Sequence, residues 1–127
     1  MNARATSFST RQDLARFAKC VTDGVSVTHC LSVGDNGVGA WGDNVWDPSG
    51  PPICALPSGV AVHNRQVRVT LSIGSGRPFN CICRDIAPEG VIDLNPAALL
   101  AAGLTVDQDI NDPNAQWAWA DPEPEIV

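Results

Sequence analysis

A mainly β, single-domain fold with a few short helices is predicted by three features of the sequence. The chain of 127 residues holds eleven glycines and ten prolines, a turn density that divides a chain into many short strands. Val67, Val69, Leu71 and Ile73 alternate with Arg68, Thr70 and Ser72, the period-two pattern of a half-buried strand. The length allows one hydrophobic core and not two.

The elements follow in order. Ser9-Thr10-Arg11-Gln12-Asp13 opens a helix over about 9–20, with Ser9 or Thr10 as the cap and Leu14, Phe17 and Ala18 on one apolar face. From Val21 to Gly59 the turn signals DNG, WGDN and DPSGPP dominate. The alternating run 67–73 then begins a hairpin: GSG makes the turn, and the chain returns over Pro78 to Asp85 with Phe79, Cys81, Cys83 and Asp85 on one face. A second helix over about 96–102 carries its signals in sequence, Asn95 as N-cap, Pro96 at the first helical position and Gly103 at the exit. Gln116 to Ala120 alternates like a closing strand. The expected organisation is an N-terminal extension (1–32) packed on a β domain (33–120), followed by an acidic, solubilising tail (121–127).

Charge and cysteine content narrow the partners. A net charge of −6 argues against nucleic acid or an anionic membrane as the target, and no apolar run is long enough to span a bilayer. Five cysteines in so short a chain point to an oxidising destination, secreted or cell envelope, with two disulfides and one thiol left over. No signal peptide is visible at the N-terminus, which leaves a removed leader, a non-classical route or a cytoplasmic location open. The pairing expected is Cys20 with Cys30, and Cys54 with Cys81 or Cys83; two residues apart on one strand, Cys81 and Cys83 are poorly placed to join each other. A zinc site from Cys81 and Cys83 lacks the usual ligand spacing, so no metal and no cofactor is expected. Cys20 as a nucleophile beside His63 is disfavoured, because the C-terminal end of a helix opposes a thiolate.

Arg84-Asp85-Ile86-Ala87-Pro88, then Val91-Ile92-Asp93-Leu94-Asn95-Pro96, then Ala101-Ala102-Gly103-Leu104 resemble a run in the rare-lipoprotein-A, expansin and barwin group. There the text reads Asp-Arg-Gly-Pro, Ile-Asp-Leu-Ser and a small-residue helix ending Leu-Gly-Leu. Val38-Gly39-Ala40-Trp41-Gly42-Asp43-Asn44 is similar to Gly-Ala-Cys-Gly-Tyr-Gly-Asn of expansins, and Ala55-Leu56-Pro57-Ser58-Gly59 to the Leu-Pro-x-Gly segment before the hairpin. The resemblance covers roughly residues 33–120 and implies a six-stranded double-psi β-barrel that binds glycan strands in an open groove. It also implies two different acids: Asp85 by the transglycosylase branch, Asp93 by expansins and the related endoglucanases. The sequence departs from the group at Ile53, where the transglycosylases carry His, and at Ala87, which replaces the Gly of Asp-Arg-Gly-Pro.

Cleaving a glycosidic bond requires a carboxyl that stays protonated near the leaving oxygen. Asp85, on the face of Phe79, Cys81 and Cys83, is expected to have a raised pKa. Asp93, two residues before the helix start, is expected to be held ionised by backbone N–H groups and the helix dipole. Trp41 and Trp46 could stack on sugar rings, Asp43 could add a carboxylate or bond its own turn, and His63 or His29 could approach the site. The expected function is cleavage of peptidoglycan glycan strands by a monomer, by lytic transglycosylation or hydrolysis, with Asp85 as the acid and cell-wall polysaccharide as the partner. The alternatives are a non-catalytic expansin-like carbohydrate-binding module, and an interaction or inhibitor protein.

Overall fold

The structure, a computed structural model, describes residues 1–121. Its elements are β1 (Asn2–Ser7), α1 (Arg11–Thr22), α2 (Val27–Cys30), β2 (Ile53–Pro57), β3 (Gln66–Thr70), β4 (Phe79–Ala87), β5 (Val91–Leu94), α3 (Pro96–Ala101) and β6 (Asn111–Trp119). The six strands close into a ring in the order β1-β5-β2-β4-β3-β6. β1 runs parallel to β5 and β2 parallel to β4, while every other neighbour is antiparallel.

Inside the ring, Ala3 and Ala5 of β1 meet Cys54 and Leu56 of β2, Val67 and Val69 of β3, Cys81 and Cys83 of β4, Ile92 and Leu94 of β5, and Ala115 and Trp117 of β6. Leu99 and Ala98 of α3 close one end of this core. A second apolar cluster, Phe8, Val45, Ile53, Ala55 and Ala87, lies on the other face of the sheet under the loop 35–50. β2 is therefore covered on both sides and all five of its residues are buried, the reading expected of a central strand.

Both helices start where their capping residues predict. Thr10 Oγ1 accepts from Asp13 N and caps α1. Asn95 Oδ1 accepts from Ala98 N and caps α3. Asn95 is fully buried, and it also accepts from Ile53 N and donates from Nδ2 to Val45 O, each at 2.9 Å. One side chain thus joins β2, the loop before it and α3.

Two expectations are corrected. Residues 1–32 are not an extension outside the β domain, because β1 supplies a strand that closes the ring between β5 and β6. Its inward residues are only alanines, which leave no strong apolar stripe. Of the expected disulfides, Cys20–Cys30 forms with its Cα atoms 5.6 Å apart, whereas Cys54, Cys81 and Cys83 are free and buried. Cys54 and Cys83 are both pushed well above the ordinary thiol range by neighbouring thiols together with burial. Cys20, already disfavoured as a nucleophile, is held in that disulfide. The tail reading falls outside the described residues apart from Asp121, which is not freely solvated: its carboxylate accepts from Arg65 Nε at 2.9 Å and from Gln66 N at 3.0 Å.

Among the described residues, no helix is long and apolar enough to cross a membrane, and no group of three His, Cys, Asp or Glu side chains is arranged to hold a metal.

Candidate functional site

The site begins with a bulge. Cys54 and Ala55, consecutive on β2, pair with Cys83 and Asp85 on β4, so Arg84 is the extra residue. A bulge reverses the alternation beyond it. Asp85 therefore leaves the face of Cys81 and Cys83 and lies beside Ala55, on the outer side of the barrel. This corrects the expected single face for Phe79, Cys81, Cys83 and Asp85.

Across the sheet, Ala55 pairs with Asp93 of β5, and Asp93 pairs with Thr6 of β1. Asp85, Ala55, Asp93 and Thr6 form one row over four strands. Small Ala55 leaves the two aspartates facing across it, their Cα atoms two strand spacings apart, roughly 9–10 Å. Both aspartates are partly buried.

The two carboxyls are held differently. Asp85 Oδ1 accepts from Ala40 N and Ile86 N, each at 2.9 Å. Burial raises its pKa, those two bonds oppose the rise, and the charge of Asp35 adds to it. Gly39 makes the Ala40 contact possible: a Cβ there would lie 2.2 Å from Arg84 O, so only glycine lets this loop rest on β4. Asp93 accepts from the Thr6 hydroxyl. Burial pushes its pKa up to about 6, with the charges of Asp85, Asp13 and Asp35 adding to the effect. The helix-start account of Asp93 is overturned, since Asn95 takes the capping bonds and Asp93 is raised rather than held ionised. Asp13 and Asp35 line a neighbouring cleft of about 340 Å³ with Leu31, Val33 and Val38.

Trp41, Asp43 and His63 come together on loops flanking this row. The Trp41 and His63 rings stack with centroids 4.8 Å apart, and His63 Nε2 lies 2.6 Å from Asp43 Oδ2. Arg84, the bulged residue, turns away from Asp85: its Nε donates to Asn64 Oδ1 at 2.9 Å and lies 3.8 Å from Asp43 Oδ1. Trp41 remains 42% exposed. Asp43 bonds across to His63 rather than serving as a carboxylate opposite Asp85. His29 sits on α2 inside the disulfide-closed segment. Trp46 lies against Gly37 and Leu14 on another part of the surface. Trp117 is core, and the Arg65 guanidinium covers Trp119 at 4.2 Å, which gives the terminal pair a structural role.

Sequence reasoning passed over Thr6 and Ala40. Thr6 carries a weak signal, a hydroxyl in an otherwise alanine-patterned strand. Ala40 contributes only its backbone N–H, which no side-chain pattern marks.

No protein-family model and no curated protein matches the chain. Among solved structures, Streptomyces papain inhibitor is similar at 22% sequence identity over 92% of each chain, with a TM-score of 0.49.

Proposed function

We propose that the chain is a double-psi β-barrel of the rare-lipoprotein-A, expansin and barwin type that acts on cell-wall glycan, with Asp93 as the general acid. The fold reading is supported by two parallel strand pairs, β1 with β5 and β2 with β4, inside an otherwise antiparallel ring. The functional reading is carried by one observation: two partly buried aspartates flank Ala55, and the one bonded to Thr6 is raised to about 6. A carboxyl with that pKa keeps its proton in mildly acidic solution, below about pH 6, and can deliver it there to a leaving glycosidic oxygen. Asp85, fixed by two backbone N–H groups, is the fixed negative charge opposite the reacting ring. The Trp41–His63 stack offers an aromatic face for a neighbouring sugar. The Cys20–Cys30 disulfide fits an oxidising compartment such as the cell envelope or exterior.

A second reading, a glycan-binding module without turnover, is favoured by Ile53 at the position of the transglycosylase His and by the exposed Trp41 platform. Incubation with purified peptidoglycan and with cellulose separates the two. Soluble anhydro-muropeptides or new reducing ends, reduced at least about a hundredfold by Asp93→Asn, support the enzyme. Sedimentation with the insoluble glycan, lost in Trp41→Ala and without product, supports the binding module. Neither result leaves a protein-interaction role.

A further inference from the structure

The turn Asp35-Asn36-Gly37 takes no part in the aspartate row, but its hydrogen bonds are arranged around one exposed side-chain amide, that of Asn36. Asn36 Oδ1 accepts from Val38 N at 3.0 Å. A side-chain carbonyl bonded in this way stands where the first backbone carbonyl of a β-turn stands, so its carbon lies next to the nitrogen of the intervening residue, Gly37. Gly37 N in turn donates to Asp35 Oδ1 at 2.6 Å. Gly37 has φ 79° and no Cβ to shield its nitrogen, and a Cβ there would sit 2.9 Å from Trp46 Cδ1. Val45 N donates to Gly37 O at 3.1 Å, which fixes the turn against the loop that follows it.

An asparagine loses its amide when the next backbone nitrogen attacks the side-chain carbonyl carbon. That step needs the N–H proton removed and the developing oxyanion stabilised. The Asp35 carboxylate is in place to take the proton of Gly37 N, and Val38 N–H is aimed at the oxygen that gains charge. The Gly37 N–Asn36 Cγ bond forms as Asp35 takes the proton; the Cγ–Nδ2 bond then breaks, and Nδ2 leaves as ammonia with the proton that Asp35 returns. Water opens the cyclic imide at either carbonyl and leaves aspartate or isoaspartate at position 36. We propose that Asn36 is a self-modifying site, at which the fold, through Asp35 and Val38, drives conversion of a neutral amide to a carboxylate. The product is a third carboxylate in the cleft that Asp13, Asp35 and Asn36 line. Burial and the charges of Asp85, Asp13 and Asp35 hold Asp93 up against the Thr6 hydroxyl bond, so the new charge makes Asp93 harder still to ionise.

The test follows the Asn36 peptide by mass spectrometry, with isoaspartyl methyltransferase to mark isoaspartate, while the folded protein is held near neutral pH. Expected is conversion at least about tenfold faster than in the same chain kept unfolded in guanidinium chloride, where Asp35 and Val38 no longer hold the amide. Asp35→Ser keeps an acceptor for Gly37 N–H and removes the base. It should slow the folded protein by about tenfold or more and leave the unfolded chain nearly unchanged. Asn36→Asp, which carries the charge of the product, should raise the ¹³C NMR titration midpoint of Asp93. The proposal is overturned if the folded protein converts no faster than the unfolded chain, if folded Asp35→Ser converts at the wild-type rate, or if Asn36→Asp leaves the Asp93 midpoint where it was.

Discussion

Asp93 is a carboxylate that the fold makes hard to ionise, and the consequence is a pH dependence of fixed sign. Its pKa rises from 3.8 in the unfolded chain to about 6 in the folded protein. Between those values the folded state holds more protons than the unfolded one, so stability falls as pH rises from about 4 to 6 and levels off above it. The cost of ionising Asp93 in the folded state is on the order of 3 kcal/mol. Asp93→Asn should therefore raise the melting temperature at pH 7 and leave it nearly unchanged at pH 3.5. Equal melting temperatures for the two proteins at pH 7 would refute the burial account. Asp121 is the opposite case, held below the usual carboxylate range chiefly by the Gln66 N–H and then by Arg65. Its contribution is present at neutral pH and is lost as pH falls through that lowered value.

At the scale of elements, α1 and α2 form a separate unit on the barrel. No residue of α1 is buried, and in α2 only the disulfide partner Cys30 is. The Cys20–Cys30 bridge closes a segment with a sequence separation of 10, which constrains the unfolded hairpin by about 3 kcal/mol. Replacing both cysteines by serine should speed amide hydrogen exchange in residues 11–34 by about a hundredfold, while amides of β2 and β4 keep their protection. Uniform loss of protection across the chain would mean that the hairpin and the barrel unfold as one. The barrel strands are instead anchored by Asn95, whose three side-chain bonds reach Ile53, Val45 and Ala98. Asn95 therefore has a role in the core as well as at the helix start.

For the molecule as a whole, ring closure depends on β1, which pairs with both β5 and β6. Deleting residues 1–8 exposes two unpaired strand edges and empties two inward alanine positions, and should abolish the cooperative thermal transition. A truncated chain that still melts cooperatively near the wild-type temperature would contradict the closed ring. The same strand marks the limit of what the sequence makes legible. Helix α3, the cap of α1 and the β3–β4 hairpin are readable because capping residues and strong alternation act locally. β1 is not, since alanines carry little apolar signal and the strand exists because β5 and β6 need a partner. The bulge at Arg84 is equally hidden, because it is set by register against β2. Asp85 and Asp93 were therefore identifiable as residues, but their meeting across Ala55 was not. That meeting is most directly measured by titrating the side-chain carboxyl carbons of the aspartates by ¹³C NMR. Asp93 should titrate with a midpoint near 6, falling when Asp85 is replaced by asparagine. A midpoint near 3.8, indifferent to Asp85→Asn, would contradict it.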